Sequence, residues 1–342
     1  MAISKIPSAG FQDNVKFRNL IINGGMDLAQ RGTSVSSLTS SSTYQTIDRY
    51  ATELGSNGTW TQSQSTDVPT GQGFAKSLKM DCTTADASPS ASDEFSLRQK
   101  IEGQNLQYLK KGTSSAESTT VSFWVKSNKI GTYICELRDS DNSRQINKSY
   151  TISSANTWEK KTITYDGDTT GALDNDNARS LDVVWWLGAG SNFTSGTLQT
   201  SWGSIVAANR AVGQVNLADS TSNEWYITGV QLEAGEVASD FEFLPVDVNL
   251  ARCQRYYQII ADRNQTGERM AIICGSAVNS ANVYAGIQFI TPMRASATAI
   301  STSVSAGYRF LGDTQPTFDS ISAAPITNRG ARLTNGDSAT VT

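Results

Sequence analysis

Histidine is absent from all 342 residues. Without an imidazole there is no Ser-His-Asp or Cys-His catalysis and no histidine-bound zinc. Cysteine is sparse as well. Cys82, Cys135, Cys253 and Cys274 form no C-x-x-C pair, so a thiolate metal site has no support and all four read as buried free thiols. Charge is thin: charged residues make up 18% of the chain and hydrophobic residues 38%, both below the usual shares for soluble domains. The balance of 28 basic and 32 acidic side chains gives a net charge of −4. Its longest basic feature is Lys110-Lys111, so no electrostatic footprint for nucleic acid exists. No apolar run approaches the length of a membrane span, and membrane insertion is not expected. The opening fourteen residues, MAISKIPSAGFQDN, lack the apolar segment of a secretory signal. Disulfides are therefore unsupported.

Ser, Thr, Gly and Asn fill the composition instead. They weaken helices and build turns, which favours a β-rich chain. Eleven Tyr, 11 Phe and 7 Trp supply the bulk for a sizeable core. The length suggests roughly two domains. Residues 1–19 are polar, with Lys5, Lys16 and Arg18 scattered among Pro7 and Gly10, and read as an N-terminal attachment arm that orders against a partner.

Strand signals then run almost without interruption. Residues 19–23 are a short apolar run closed by Gly24-Gly25. Val121, Phe123 and Val125 alternate with Ser122 and Trp124, and residues 133–137 alternate around Cys135. Residues 158–165 set Ile163 and Tyr165 against Thr162 and Thr164. The run 181–187 is nearly all apolar, which predicts a central strand with Trp185 and Trp186 pointing to opposite sides of the sheet. Residues 225–232 close the series. Turn-rich stretches at 34–43, 83–92, 139–144 and 166–177 separate these strands. Short strands at such spacing, with no crossover helices, predict an antiparallel sandwich. A boundary falls at Phe243-Leu244-Pro245. Beyond it, 247–260 reads as a short helix capped by Asp247 or as a strand, and strands return at 270–274, 283–290, 297–304 and 308–311. Residues 20–245 thus form the sandwich, and 246–342 form a smaller β-rich C-terminal domain.

Four kinds of site chemistry are open to these residue types. Glycoside hydrolysis needs two carboxylates. Asp93, Glu94, Glu102, Glu136, Asp139, Asp141 and Glu233 are available, yet nothing in the sequence pairs them. The run Asp166-Gly167-Asp168-Thr169-Thr170-Gly171 opens like an EF-hand calcium loop, but Thr170 and Asn177 stand where ligands are required, so it reads as a hairpin loop. The sequons at Asn57, Asn147 and Asn192 mean little without an export route. Aromatic rings are the richer signal, because a flat ring can stack against the apolar face of a sugar. The glycan-binding candidates are Trp60, Arg98, Gln99, Trp124 and Trp186, with Trp124 and Trp186 expected to line one groove and Gln62 beside them; Trp202 is a further ring in polar surroundings.

Residues 19–27 (NLIINGGMD) with Ala29-Gln30-Arg31-Gly32, Asp48-Arg49-Tyr50, residues 122–126 (SFWVK), residues 226–235 (YITGVQLEAG) and residues 252–257 (RCQRYY) together resemble tailed-phage virion appendage proteins of the tail-fibre or knob kind. The likeness spans roughly residues 19 to 260 and continues faintly through Pro292-Met293-Arg294. A looser resemblance is to jelly-roll carbohydrate-binding modules, which open on a similar Asn-Gly-Gly turn. These resemblances imply an all-β jelly roll and a non-enzymatic structural role in a bacteriophage virion. Host-surface attachment by glycan contact, three-fold self-association into a homotrimer and assembly with other virion proteins of tail or capsid in the bacterial cytoplasm would follow. They also imply a structural calcium ion held by Asn23, Asp27 and Glu233, although Met26-Asp27 departs from the modules' aromatic-Glu pair. No other cofactor is expected. The alternatives are a free-standing carbohydrate-binding module with calcium and a polysaccharide depolymerase with paired carboxylates.

Overall fold

The structure is a computed structural model, and it describes residues 17–260, 275–279, 282–297, 308–309, 317–318 and 321–335. Most of the expected N-terminal arm therefore lies outside the described residues, as do the strand expected at 270–274 and all but one residue of that expected at 297–304. The chain divides into two compact units between Asn249 and Leu250.

The first unit is an all-β jelly-roll sandwich. Its strands in chain order are β1 (Ser34–Tyr44), β2 (Ala51–Ser65), β3 (Ser77–Thr84), β4 (Glu94–Glu102), β5 (Thr119–Ser127), β6 (Gly131–Asp139), β7 (Arg144–Ile152), β8 (Glu159–Tyr165), β9 (Arg179–Ala189), β10 (Gly203–Ser204) and β11 (Glu224–Ala234). Hydrogen bonds connect them in the order β10-β7-β6-β9-β4-β2-β3-β11-β5-β8, with β1 along β2. The turning point is β2. Its residues 51–55 pair with β4, whereas 59–65 pair with β3. Between these halves Ser56 and Gly58 take left-handed backbone angles (φ 60° and 76°), which bends the strand from one layer into the other.

Alternation decides what lies between the layers. Phe123 of β5 meets Tyr150 of β7 and Trp185 of β9 edge-on, at ring-centroid separations of 5.1 and 5.9 Å. Trp60, Phe95, Trp225 and Ile227 fill the remaining core. The strands expected around Cys135, at 121–125, at 181–187 and at 225–232 are all present. As its apolar run requires, β9 is central, hydrogen-bonded to β4 on one side and β6 on the other. Cys82 and Cys135 are buried free thiols, and burial pushes them up to about 11 and about 12; Cys253 is buried as well. Cys274 lies outside the described residues.

Three local expectations are corrected. Residues 34–43 form a strand, not a turn: an edge strand needs only a partner's backbone, and of its described side chains Leu38 alone is buried. The segment 166–177 is a crossover from β8 in one layer to β9 in the other rather than a hairpin. Residues 19–23 are buried but do not form a strand. They run beside a bulge in β11, where Leu20 N–H donates to the Leu232 carbonyl and Val230 N–H donates to the Gly24 carbonyl. A side chain at Gly24 would meet the Val230 carbonyl oxygen at 2.1 Å, so the Gly in this motif is a requirement of close approach.

Helix α1 (Ser191–Thr194) belongs to the first unit. Helix α2 (Val246–Gln254) realises the helical option near the boundary. Asp247 lies within its first turn rather than before it, where a negative charge still favours the helix N-terminus. Asn249 accepts a hydrogen bond from Asn23 N–H at 3.2 Å, which ties the opening of α2 to the first unit. The second unit holds β12 (Gly275–Asn279), β13 (Asn282–Gln288), β14 (Tyr308–Arg309), β15 (Thr317–Phe318), β16 (Ile321–Ile326) and β17 (Gly330–Asn335). They form an antiparallel sheet in the order β12-β13-β17-β16 and a separate β14-β15 pair.

Replacing Gly24 with Ala is expected to force residues 20–25 off β11 and cost about 1–3 kcal/mol, as overpacking of a tight site does. The midpoint of guanidinium unfolding measures this; an unchanged midpoint contradicts the role given to the close approach.

Candidate functional site

Every second side chain of the first layer points away from the core. Register aligns these outward residues in rows across β2, β4, β9, β6 and β7. One row is Ala51, Arg98, Val184, Glu136 and Asn147. On one side of it lie Glu53, Ser96 and Trp186, and on the other Lys100, Asp182, Arg138 and Gln145. This is an unusually polar face for strands whose other face is so apolar.

Half of the face is sealed by a strap, residues 190–216. Ala211, Phe193 and Leu198 pack on Ile134, Val184 and Trp186. Arg210 fixes the strap: its Nε and Nη2 donate to the two oxygens of Glu136, each at 3.0 Å. Trp186 Nε1–H donates to the same carboxylate at 2.9 Å, and the guanidinium lies 4.8 Å from the indole centroid. Glu136 has no solvent exposure. A buried carboxylate needs this degree of satisfaction. Asn147 adds two backbone ties, its N–H to Gln199 and its Nδ2 to Asn209.

The other half is only partly covered. Arg98 Nη2 pairs with Glu53 at 2.9 Å, and its Nη1 lies 4.0 Å from Asp182. Arg179 grips Asp182 with two N–H groups. Arg138 has no carboxylate within ion-pair distance among the described residues, and its Nε is buried without a partner. Ser96 Oγ, Arg98 Nε and Ser180 Oγ are also buried and unpartnered, as are Gln145 Oε1 and Asn147 Oδ1 beneath the strap. Buried polar atoms are normally satisfied, so such a concentration on one face marks it as a place where other polar groups belong. Burial pushes the Glu94 carboxyl up, and neighbouring Glu53 adds to this against the pull of Arg210, Arg98 and Arg138.

The five glycan candidates scatter. Arg98 and Trp186 share this outer face. Trp186, however, has no exposure and stacks under the strap against Phe193. Trp60 is a core residue, fully buried against Phe95 with its N–H on the Asn57 carbonyl, so it offers no ring to a sugar. Gln99 points inward and clamps both backbone groups of Ile22. Trp124 lies on the outer face of the opposite layer, beside Thr228 and Lys160. Trp124 and Trp186 therefore cannot line one groove, because β5 and β9 belong to different layers. Gln62 is buried and held by Thr46 and Thr52, and Trp202 donates to the Asp166 carbonyl.

Among the described residues no hydrogen bond or ion pair joins Asn23, Asp27 and Glu233 to one another. Asn23 Oδ1 accepts from Leu28 N–H. The oxygens of Glu233 accept from Ser239 and Gln231, with Arg18 nearby. No partner joins these groups to Asp27, and among the described residues no cluster of three metal-ligating carboxylates or thiols exists. The EF-hand-like loop is occupied internally: Asp168 receives two hydrogen bonds from Arg144, at 2.6 and 2.9 Å, and lies 2.9 Å from Lys111. Burial works against its charge, but these partners hold its carboxyl below the usual range. Most other candidate carboxylates are similarly engaged, Asp139 by Lys111 and Asp93 by Ser90 N–H. Glu94 shares its outward face with Glu53, which Arg98 engages.

Sequence reasoning missed Glu53, Ser96, Arg138, Asp182 and Arg210. A signal for most of them was present, since Ser96, Arg98 and Lys100, or Glu136 and Arg138, recur at alternate positions in strands whose intervening residues are apolar.

No protein-family model matches the chain, and no curated protein matches it. Among solved structures it is similar to the enzymatically active domain of bacteriophage CBA120 tailspike protein 4, at 13% identity and a TM-score of 0.34, covering 64% of this chain and 22% of that one. The match thus spans about a fifth of the length of that domain's chain. It is also similar to TmCBM61, solved with β-1,4-galactotriose, at 9% identity and a TM-score of 0.33, covering 64% and 99% of the two chains. A family 11 carbohydrate-binding module of a Clostridium thermocellum cellulase gives 11% identity, a TM-score of 0.26 and coverages of 60% and 98%.

Arg210→Ala is expected to cost about 3–5 kcal/mol, because it strands the Glu136 charge. Adding Glu136→Gln should recover part of that loss in a double-mutant cycle followed by chemical unfolding. Additive effects would contradict the pairing.

Proposed function

We propose that this chain is a non-enzymatic structural protein of a bacteriophage virion, a tail fibre, knob or other surface appendage, which contacts host-surface glycans through the open half of the first layer's outer face. The observation that carries the glycan contact is the set of buried, unpartnered polar atoms around Arg98 and Arg138. A sugar brings hydroxyls that both donate and accept, so it can satisfy several such groups at once without a cofactor. The virion role draws support from the sequence motifs at 19–27, 122–126 and 226–235. Among the described residues no helix is long and apolar enough to cross a membrane. The chain works as a homotrimer, in which three weak sites act together and effective concentration raises avidity. Its N-terminal arm or C-terminal domain meets another virion protein, and assembly takes place in the host bacterial cytoplasm.

A depolymerase is the second reading, favoured by one observation. Glu94 and Glu53 share the outer face, and the Glu94 carboxyl is pushed up by burial and by Glu53, as a general acid requires. It predicts new reducing ends when bacterial polysaccharide is incubated with the protein, lost on Glu94→Gln.

Light scattering on a sizing column should give three times the 36.8 kDa chain mass. Titration calorimetry against bacterial surface polysaccharides should show binding that Arg98→Gln weakens about tenfold or more, equivalent to about 1.4 kcal/mol, while Trp124→Ala leaves it unchanged. A thermal melt of each variant separates lost binding from lost folding. A monomer that gives no heat with any polysaccharide contradicts the proposal, and release of reducing ends contradicts its non-enzymatic part.

A further inference from the structure

Four arginines converge on the outer face of the first layer, and three of them have carboxylate partners. Arg210 is spent on Glu136, Arg179 on Asp182 and Arg98 on Glu53. Arg138 is the exception. It stands in the row of Lys100, Asp182 and Gln145, yet Asp182 is claimed by Arg179 and approached by Arg98. Its Nε is fully screened from solvent and has no acceptor, and the neighbouring Arg98 Nε is in the same condition. Burial and the nearby Arg210, Arg179 and Arg98 charges disfavour the cationic form of Arg138, against the pull of Glu136. An arginine held half-buried among like charges, without a direct ion pair of its own, raises the free energy of the face on which it sits. Its planar fork of N–H groups matches a carboxylate in both charge and geometry.

We propose that this face selects acidic glycans, with Arg138 receiving the carboxylate of a uronic-acid residue and Arg98 Nε–H donating to the same sugar. This rests on the reading of the face as a glycan site and adds its specificity. The carboxylate distinguishes the acidic polymer from its neutral counterpart by leaving Arg138 paired in one complex and unpaired in the other.

The test compares polygalacturonic acid with the same polymer fully methyl-esterified, which removes the charge and keeps the backbone. Affinity is measured by calorimetry in low salt for the full chain, Arg138→Ala and Arg138→Lys. The acid form should bind the parent at least tenfold more tightly than the ester. Arg138→Ala should abolish that preference by weakening acid binding more than ester binding, and Arg138→Lys should keep part of it, since a point charge lacks the fork. Dextran sulfate should bind more weakly than the acid polymer. Removing Arg138 also relieves repulsion, so the Ala variant should unfold at no lower denaturant concentration than the parent. Equal affinity for acid and ester overturns this inference and leaves the glycan-binding reading standing. Stronger binding of dextran sulfate overturns the carboxylate selectivity, as does a large loss of stability in Arg138→Ala. Failure of every polymer, neutral and acidic, overturns both readings.

Discussion

A single buried ion pair organises the functional half of this protein. Glu136 occupies the middle of the first layer's outer face, where β6 pairs with both β7 and β9, and it has no access to water. Its charge survives there because Arg210 meets both oxygens and Trp186 donates a third hydrogen bond. Those contacts pull residues 190–216 down across β6, β7 and β9, so half the face becomes a second small core and the other half stays a recessed polar surface. The pair divides the sheet in this way, and its net worth to stability is secondary to the division it imposes.

The same alternation that builds the main core supplies this surface. In β4, Leu97, Gln99 and Ile101 turn inward while Ser96, Arg98 and Lys100 turn outward. In β9, Trp185 enters the main core and Trp186 enters the strap's core. The opposite layer carries its own charged and aromatic face, where Lys126 lies 4.3 Å from the Tyr226 ring centroid and Trp158 Nε1–H donates to Asp67 at 2.9 Å. There the polar groups satisfy one another. Residual polarity, not aromatic exposure, distinguishes the two faces, and it singles out the first layer.

Much of the fold was legible because strands whose two faces differ announce themselves. The alternation at 121–125 and 133–137 and the apolar run at 181–187 were sufficient to place β5, β6 and β9. Edge strand β1 was not legible, since Ser and Thr residues with little burial look like a turn until a neighbour's backbone is known. The site was harder still. Trp60 and Trp186 attracted attention as large rings, but ring size correlates with burial and both proved to be packing residues. Arg98 was legible, while Arg138 and Arg210 carry no mark of their roles in the sequence alone. What makes them different is the register that sets Arg138 beside an already claimed Asp182, and the strap that carries Arg210 back over 74 residues to Glu136. Neither is a property of neighbouring positions in the chain. For the Asn23, Asp27 and Glu233 set, inferred by resemblance, the oxygens of Asn23 and Glu233 accept hydrogen bonds from Leu28 and Ser239, contacts the sequence could not show.

The central physical claim is that the unpartnered groups around Arg98 and Arg138 await a ligand and are not tolerated defects of the sheet. A crystal structure of the protein grown with a short oligogalacturonate measures this most directly. The expected electron density shows a sugar on the open half of the first layer, its carboxylate against Arg138 and a hydroxyl or ring oxygen near Arg98. Sugar density on the Trp124 and Tyr226 face instead, or an Arg138 that turns away to a protein acceptor while the sugar binds elsewhere, would contradict it.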